Sequence, residues 1–280
     1  MADARAIFVG DTQGTLLLER LIGREDNSAE RARLLGLVAE LDAEAAIFLG
    51  DLVARQSARA WTVVDACLTR LRARGVRLAG CAGNHDLFPL PWRGYDDLAR
   101  RGLLGPASWR RVTLGAARVL VLDSNRRALG RALWDEQLAW LRAELADAER
   151  EGSVRAVLVA SHHPPWTNSA VAGDAAPLLR PLLDAFYDAP KARVWLSGHV
   201  HAYERFASRG KHLVVSGSAS APRMRLLTGA RARHPTLARV PAPSPFGWLE
   251  LRVVAGELTL THRGFRHLRA PCETFDVVSL

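Results

Sequence analysis

The sequence predicts an α/β fold on three observations. Short apolar runs rich in strand-forming residues recur through the first two thirds of the 280-residue chain, and segments with a helical period lie between them. Most of the apolar runs are followed directly by Gly, Asp, Asn or His. Buried strands that alternate with helices are typical of α/β proteins, so we expect functional loops at the strand ends.

The individual elements follow from these patterns. Six apolar runs are predicted to be buried strands, at residues 6–9, 45–49, 76–79, 118–122, 154–160 and 193–196. Three segments that place apolar residues on one helical face lie at 34–41, 61–71 and 134–145. Asn27, three residues before Glu30, is a start signal for the first helix. Arg72 and Arg74 before Gly75 are typical of a helix C-terminus and end the second.

The last third of the chain has a different pattern. Residues 213–216, 248–254 and 258–262 are strand-like, and the turn-forming pair Ala255-Gly256 separates the last two. We expect these strands to form a second, largely antiparallel sheet. The stretch 223–246 is rich in proline and predicts a long loop rather than a domain linker. With no internal repeat, the length predicts a single domain over residues 1–280.

Composition narrows the class of protein. No apolar run approaches the roughly 20 residues that a membrane-spanning helix needs, and the N-terminus lacks the features of a secretory signal, so we expect a cytoplasmic protein without a membrane partner. Three widely spaced cysteines suggest neither a disulfide framework nor a thiolate metal site. The sequence does not indicate an oligomeric state.

The formal charge of +9 leaves two interpretations open. A basic protein suits an anionic substrate, but Arg far outnumbers Lys, which also fits the codon bias of a GC-rich genome. The basic residues lie on scattered predicted helix faces instead of forming one block interleaved with aromatic residues. Nucleic acid is therefore not the favoured partner.

Five polar motifs follow predicted strands. They are Gly10-Asp11-Thr12-Gln13-Gly14, Gly50-Asp51, Gly83-Asn84-His85-Asp86, Ser161-His162-His163-Pro164-Pro165 and Gly198-His199-Val200-His201. Loops at the carboxyl ends of parallel strands converge on one crevice, so these side chains are expected to meet. Carboxylates, an amide oxygen and imidazoles suit Mn, Fe or Zn ions.

Each motif alone is weak evidence. An Asp after a strand often only ends the strand or caps a helix, and a lone His is more often a hydrogen-bonded structural residue than a ligand. His199 and His201 are two residues apart, however, and in extended backbone they point to the same side. The conjunction of the five motifs indicates a metal site.

In type and order these motifs resemble the calcineurin-like metallophosphoesterases, whose pattern is an Asp motif, Gly-Asp, Gly-Asn-His-Asp/Glu, a lone His and Gly-His-x-His. The segments 162–166 and 198–205 are similar to the purple acid phosphatase branch. The resemblance implies a four-layer α/β/β/α sandwich with two mixed sheets and an active site at the carboxyl ends of the strands. It also implies hydrolysis of a small-molecule phosphate ester, either a monoester or a diester.

The resemblance further implies a ligand set for two metal ions, divalent or mixed-valence Mn, Fe or Zn. Asp51 bridges the two ions, Asp11 and His201 hold the first, and Asn84, His162 and His199 hold the second. Two such cations acidify a bridging water that attacks phosphorus.

Catalytic and substrate-binding roles are implied for residues beside these ligands. His85 stabilises the phosphate and acts as the general acid, and Asp86 orients its imidazole. Arg55 is a candidate phosphate contact, although a solvated arginine at a helix start is an equal interpretation. His163 is less favoured as a ligand than His162 and is a second candidate substrate contact.

Two positions depart from the family pattern. Gln13 stands where many members have His, and its amide is a weaker ligand, so the first metal is expected to be held more loosely. Ala54 stands where purple acid phosphatases have a Tyr ligand, so no purple colour is expected. These departures favour one alternative, a scaffold that kept the fold and lost catalysis. A metal-dependent nuclease is the other, and it requires a basic groove beside the site.

Overall fold

The computed structural model describes residues 3–280, in which twelve strands and seven α-helices are present. The strands are β1 Ala4–Val9, β2 Ala45–Phe48, β3 Arg77–Gly80, β4 Arg110–Leu114, β5 Ala117–Val121, β6 Ala156–Ser161, β7 Ala192–Ser197, β8 Tyr203–Ser208, β9 Lys211–Ser216, β10 Phe246–Val254, β11 Glu257–Phe265 and β12 Glu273–Ser279. The helices are α1 Leu17–Leu21, α2 Ser28–Glu40, α3 Ala58–Ala73, α4 Pro91–Arg100, α5 Arg126–Leu129, α6 Arg131–Arg150 and α7 Ala176–Asp188.

The strands form two six-stranded mixed sheets. The first sheet has the order β12-β11-β10-β1-β2-β3, in which β1, β2 and β3 are parallel and the remaining pairs are antiparallel. The second has the order β4-β5-β6-β7-β9-β8, in which β5, β6, β7 and β9 are parallel. Each sheet therefore brings several parallel strands to one edge of the molecule.

Alternate residues of each strand face different layers. On β1, Phe8 belongs to the buried cluster between the two sheets, whereas Ile7 packs in the cluster that includes Leu34 and Val64 of α2 and α3. On the second sheet, the outward-facing Trp195 packs in a third cluster with residues of α6 and α7. This period-2 alternation produces the expected four-layer α/β/β/α sandwich, in which helices cover the outer faces of the parallel strands.

The prediction of a separate antiparallel sheet in the last third is wrong. β10 pairs antiparallel with β1 and extends the first sheet, and β9 pairs in parallel with β7 in the second. The edge of β1 opposite β2 carries free main-chain groups, and β10 satisfies them across five residue pairs. A local pattern identifies a strand but not the edge that it joins.

The six predicted strands and three predicted helices are present, with shifts at their ends. Gly75 has φ +76° and follows α3, as its C-terminal signal predicts. Asn27 is the N-cap of α2, but its side chain makes no capping bond and donates instead to Glu25 and to the carbonyl of Ala221. Between Arg223 and β10 the chain has no strand or α-helix and only one short 3-10 turn, as the predicted long loop requires.

Over residues 3–280, none of the helices is both long and apolar enough to cross a membrane.

Candidate metal centre

The five polar motifs meet at one end of the two-sheet sandwich. Asp11, Asp51 and Asn84 follow β1, β2 and β3 of the first sheet, whereas His162 and His199 follow β6 and β7 of the second. The parallel strands of both sheets thus direct their carboxyl ends to the same crevice. The site lies between the two sheets.

The turns that carry these residues have unusual backbone conformations. Asp11, Asp51 and His199 have φ values of 61°, 53° and 68°, which residues other than glycine rarely adopt. Such strain is typical of functional sites, where the surrounding structure enforces it. A Cβ atom on Gly83 would lie 2.1 Å from the backbone nitrogen of Asp51, and one on Gly198 would lie 2.5 Å from Oδ2 of Asp11. The turns therefore touch at distances that only glycine permits.

A first cluster of metal-binding type consists of Asp11, Asp51 and His201, whose ligand atoms lie within 4.8 Å of one another. His201 donates from Nδ1 to the carbonyl of Pro222 at 2.7 Å, so Nε2 carries the lone pair and lies 3.7 Å from Oδ1 of Asp11. The other Asp11 oxygen accepts the backbone N–H of His199 at 2.8 Å. All three clustered side chains are buried.

Gln13 lies against this first cluster. Its Nε2 atom is 3.3 Å from Oδ2 of Asp51 and 3.2 Å from Nε2 of His201. A half-turn of the amide would present Oε1 to the same position, because the two ends of an amide are interchangeable in shape. Gln13 is thus placed either to bind an ion weakly or to hydrogen-bond a water beside it.

A second cluster combines Asn84, His162 and His199. Oδ1 of Asn84 lies 3.0 Å from Nε2 of His162 and 3.0 Å from Nδ1 of His199, and these two nitrogens are 3.2 Å apart. His162 donates from Nδ1 to the carbonyl of Leu49 at 2.8 Å, so Nε2 is the nitrogen that faces the cluster. Oδ2 of Asp51 is 3.4 Å from that same nitrogen, so Asp51 contacts both clusters.

The donor set of both clusters fits metal ions. Among residues 3–280, Oδ1 of Asp11 and Oε1 of Gln13 are buried and have no hydrogen-bond partner, which is costly unless a cation or water satisfies them. The second cluster turns two imidazole nitrogens and an amide oxygen toward one point, where a cation would bind all three. Oxygen and nitrogen ligands without thiolates suit Mn, Fe or Zn.

The pKa values of the acidic and histidine side chains in the site are strongly shifted. Burial raises the pKa of Asp11 well above its usual range. Burial also opposes ionisation of Asp51, but the facing His162 and His85 bring its pKa below the usual value. Burial alone would lower the pKa of His162, yet Asp51 and Asp11 raise it to about 9. Burial lowers the pKa of His199 to about 3 and that of His201 to about 4, so both offer lone pairs at neutral pH.

His85 and Asp86 are close in sequence but have different environments. The half-buried His85 places Nδ1 3.0 Å from the carbonyl of Ala54, and its backbone N–H donates to Oδ1 of Asp51 at 2.8 Å. Its Nε2 atom has no hydrogen-bond partner in residues 3–280.

The expectation that Asp86 orients the His85 imidazole is wrong. The Asp86 carboxylate instead accepts four backbone N–H groups, from Asp51, Leu52, Val53 and Gly83. Burial and the nearby Asp51 raise its pKa to about 7, against the effect of these donors. Asp86 therefore fixes the turn that carries Asp51, and the carbonyl of Ala54 orients the imidazole.

The two candidate substrate contacts differ in exposure. Arg55 has an exposed side chain. His163 is held by Ser124, whose Oγ lies 2.8 Å from its Nδ1 and accepts its backbone N–H at 3.0 Å. One ring nitrogen of His163 lies within 4.8 Å of the ligand nitrogens of His162 and His199, so His163 borders the second cluster.

A sixth polar segment at this edge, Asp123-Ser124-Asn125, is absent from the sequence predictions. It follows β5, and Asp123 and Ser124 are buried. Asn125 donates to the carbonyl of Ala82 at 2.7 Å, which ties the segment to the loop bearing Asn84. The signal that identified the other motifs, a polar run after a predicted strand, is also present here.

Comparisons with known proteins agree with this geometry. A family model described as calcineurin-like phosphoesterase matches residues 4–203. A probable cyclic nucleotide phosphodiesterase of Synechococcus sp. (strain WH7803) is 34% identical over 143 residues, which are 50% of this chain and 51% of the relative. The chain thus spans about half the length of that curated relative.

Two solved structures share the architecture. A purple acid phosphatase from yellow lupin (Lupinus luteus) seeds has a TM-score of 0.65 at 16% identity, over 99% of this chain and 54% of that one. An anchor protein of the Plasmodium inner membrane complex has a TM-score of 0.64 at 12% identity, over 99% of this chain and 90% of that one. At these identities the likeness shows the fold alone.

Proposed function

The chain belongs to the calcineurin-like phosphoesterase family, and on this premise we propose that it is a dinuclear-metal hydrolase of a small-molecule phosphate ester. The observation that carries the proposal is the position of Asp51, whose carboxylate adjoins both ligand clusters. A carboxylate shared by two clusters is the arrangement that a pair of metal ions requires.

The two ions would have separate ligand sets that share Asp51. Asp11 and His201 would hold the first ion, with Gln13 beside it, and Asn84, His162 and His199 would hold the second. When bound, two such cations supply the positive charge that attracts the phosphate oxygens and lowers the pKa of the attacking water.

His85 would donate a proton to the leaving group. Its Nδ1–H is directed at the carbonyl of Ala54, so Nε2 is the atom that can carry a proton toward the departing alkoxide. Its backbone N–H also holds Oδ1 of Asp51 in place. The same residue thus positions the shared carboxylate and offers the acid.

The names of two similar proteins suggest the substrate classes that we propose for this chain. The cyanobacterial relative is named as a probable cyclic nucleotide phosphodiesterase, so a cyclic nucleotide is one diester to test here. The lupin protein is named as a phosphatase, which makes a monoester the second class.

A two-part experiment tests the proposal. The metal content of the purified protein is measured, and turnover of 4-nitrophenyl phosphate, bis(4-nitrophenyl) phosphate and cyclic AMP is assayed with Mn²⁺, Fe²⁺, Zn²⁺ and Co²⁺. We expect metal-stimulated turnover that Asp51→Asn abolishes, whereas Asp184→Asn, an exposed carboxylate on α7, has no effect.

Two results would favour the alternatives. A protein that binds metal but cleaves none of the esters would be a scaffold that kept the fold, as the loss of the usual ligands at Gln13 and Ala54 would then suggest. A preference for DNA or RNA with steep salt dependence would favour a nuclease.

A further inference from the structure

A cleft of about 580 Å³ opens directly beside the second ligand cluster. Asn84 and His163 form its inner border, so a phosphate held at the cluster would extend its organic part into this space. Its lining includes the apolar residues Phe88, which is 59% exposed, and Pro89.

The lining of the cleft also includes two arginines, Arg126 and Arg127, on the short helix α5. No Asp or Glu among residues 3–280 lines this cleft. Within the same part of the chain, neither arginine has an ion-pair partner, although Arg118 nearby in sequence contacts three carboxylates. The Arg126 guanidinium lies 5.7 Å from the centre of the Trp134 ring, a contact that leaves its charge uncompensated. The two arginines therefore give the lining of the cleft a net positive charge.

The segment before these arginines is rigidly held. Gln137 of α6 accepts the backbone N–H of Asp123 at 2.7 Å and donates to its carbonyl at 2.9 Å. Tyr95 of α4 donates to the Asp123 carboxylate at 2.7 Å. Asn125 then bonds to Ala82, two residues from Asn84. The base of α5 is thus fixed relative to the metal-binding loop, which suits a binding wall.

We propose that this cleft binds the organic part of the phosphate ester, and that Arg126 and Arg127 select substrates whose organic part carries a second negatively charged group. Guanidinium groups bind carboxylates and phosphates through charge-assisted hydrogen bonds. Phe88, which lines the same cleft, would contact the apolar portion of that group. The inference rests on the proposed function, because it assigns the second cluster to the reacting phosphate.

Two esters that differ by one charge test the selection. The probes are 4-nitrophenyl phosphate and 3-carboxy-4-nitrophenyl phosphate, assayed with the metal-loaded full chain. We expect the double variant Arg126→Ala/Arg127→Ala to raise KM for the carboxylated ester about tenfold, with KM for the plain ester nearly unchanged. Arg142→Ala is the matched control, since Arg142 is exposed on α6, also without an ion pair in residues 3–280, and lies outside the cleft.

A binding measurement separates this inference from the proposed function. Calorimetry with phenylphosphonate and 3-carboxyphenylphosphonate, which are not hydrolysed, should show tighter binding of the carboxylated ligand to the wild type and loss of that preference in the double variant. If this pattern appears without turnover of any ester, the selection stands and the hydrolase proposal fails.

The opposite outcomes overturn the selection. If both esters are hydrolysed with equal KM and the double variant changes neither KM, the arginines do not distinguish the carboxylated ester from the plain one. If the double variant weakens only the binding of a single-stranded oligonucleotide, the wall serves a nucleic acid and the small-molecule inference is wrong.

Discussion

The backbone N–H of Asp51 donates a hydrogen bond of 2.8 Å to Oδ2 of Asp86. Asp86 lies two residues after Asn84, so this bond joins the loop of one candidate ligand cluster to the turn that carries Asp51, the carboxylate adjoining both clusters. The same oxygen also accepts the N–H of Gly83, and the other oxygen accepts those of Leu52 and Val53. A single buried carboxylate therefore determines the relative position of two ligand loops.

Asp86→Asn should weaken metal binding without removing the chemistry. The amide offers one acceptor oxygen in place of two, so two of the four N–H donors lose their partner, and we expect a loss of about 3 kcal/mol in unfolding free energy. Metal affinity should fall roughly 10- to 100-fold, as for other residues that orient ligands. Calorimetric metal titration and thermal unfolding measure the two effects.

Saturating metal distinguishes this role from a catalytic one. With excess metal ion, kcat of Asp86→Asn should return close to the wild-type value. The control is Asp135→Asn, an exposed carboxylate on α6, which should match the wild type at every metal concentration. A kcat that stays low at full metal occupancy would instead place Asp86 in the chemical step.

His85→Ala should have the converse effect. The His85 side chain contacts the carbonyl of Ala54 and no member of either ligand cluster through a hydrogen bond, so metal content should be unchanged. Loss of a general acid lowers kcat roughly 10²- to 10⁴-fold, and most for alkyl esters, whose leaving groups need the proton. The comparison of an alkyl phosphate with 4-nitrophenyl phosphate measures this; equal losses for both would remove the acid role.

The sequence patterns are sufficient to predict the strands that precede the candidate site residues. Each of the strands before Asp11, Asp51 and His162 is an apolar run in the midst of polar sequence, and burial on both faces requires that composition. β8 begins with the polar stretch Tyr203-Glu204-Arg205, whose pattern does not predict a strand. Distant partners satisfy these side chains, and Asp276 accepts hydrogen bonds from both Tyr203 and Arg205. Tertiary hydrogen bonds of this kind leave no local periodicity.

The convergence of the candidate ligand side chains could be predicted from the sequence, whereas the direction of the Asp86 carboxylate could not. A motif fixes which side chains reach the end of a strand, and the convergence of parallel strands brings them together. The direction of the Asp86 carboxylate depends instead on the turn at Asp51, whose positive φ exposes successive N–H groups. That conformation follows from contact between turns 32 residues apart, between Asp51 and Gly83, and neither segment encodes it alone.

Gln13→His should tighten the first metal. Gln13 lies 3.2 Å from Nε2 of His201, so an imidazole at this position can reach the ion that Asp11 and His201 would hold. We expect the affinity of the more weakly bound ion to rise about tenfold, because imidazole is a stronger ligand than a neutral amide. Stepwise metal titration followed by calorimetry resolves the two ions. An unchanged weaker constant would mean that position 13 does not face the ion.

His262 should make the protein sensitive to acid. Its ring is fully buried, stacks on Tyr203 at 3.8 Å between centroids, and neither nitrogen has a hydrogen-bond partner in residues 3–280. Burial lowers its pKa from 6.5 to about 3. Between these values the unfolded chain binds a proton that the folded chain does not, so this contribution to stability is present above pH 6.5 and is lost as pH falls toward 3. The slope of the unfolding free energy against pH reaches about 1.4 kcal/mol per pH unit.

His262→Phe should reduce this slope by the same amount, measured by denaturant titration from pH 7 to 4. The slopes of the two curves are compared and not their absolute values, because a larger ring against Gly247 also changes the unfolding free energy at every pH. Parallel curves for the two proteins would show that His262 is not the group that titrates on unfolding.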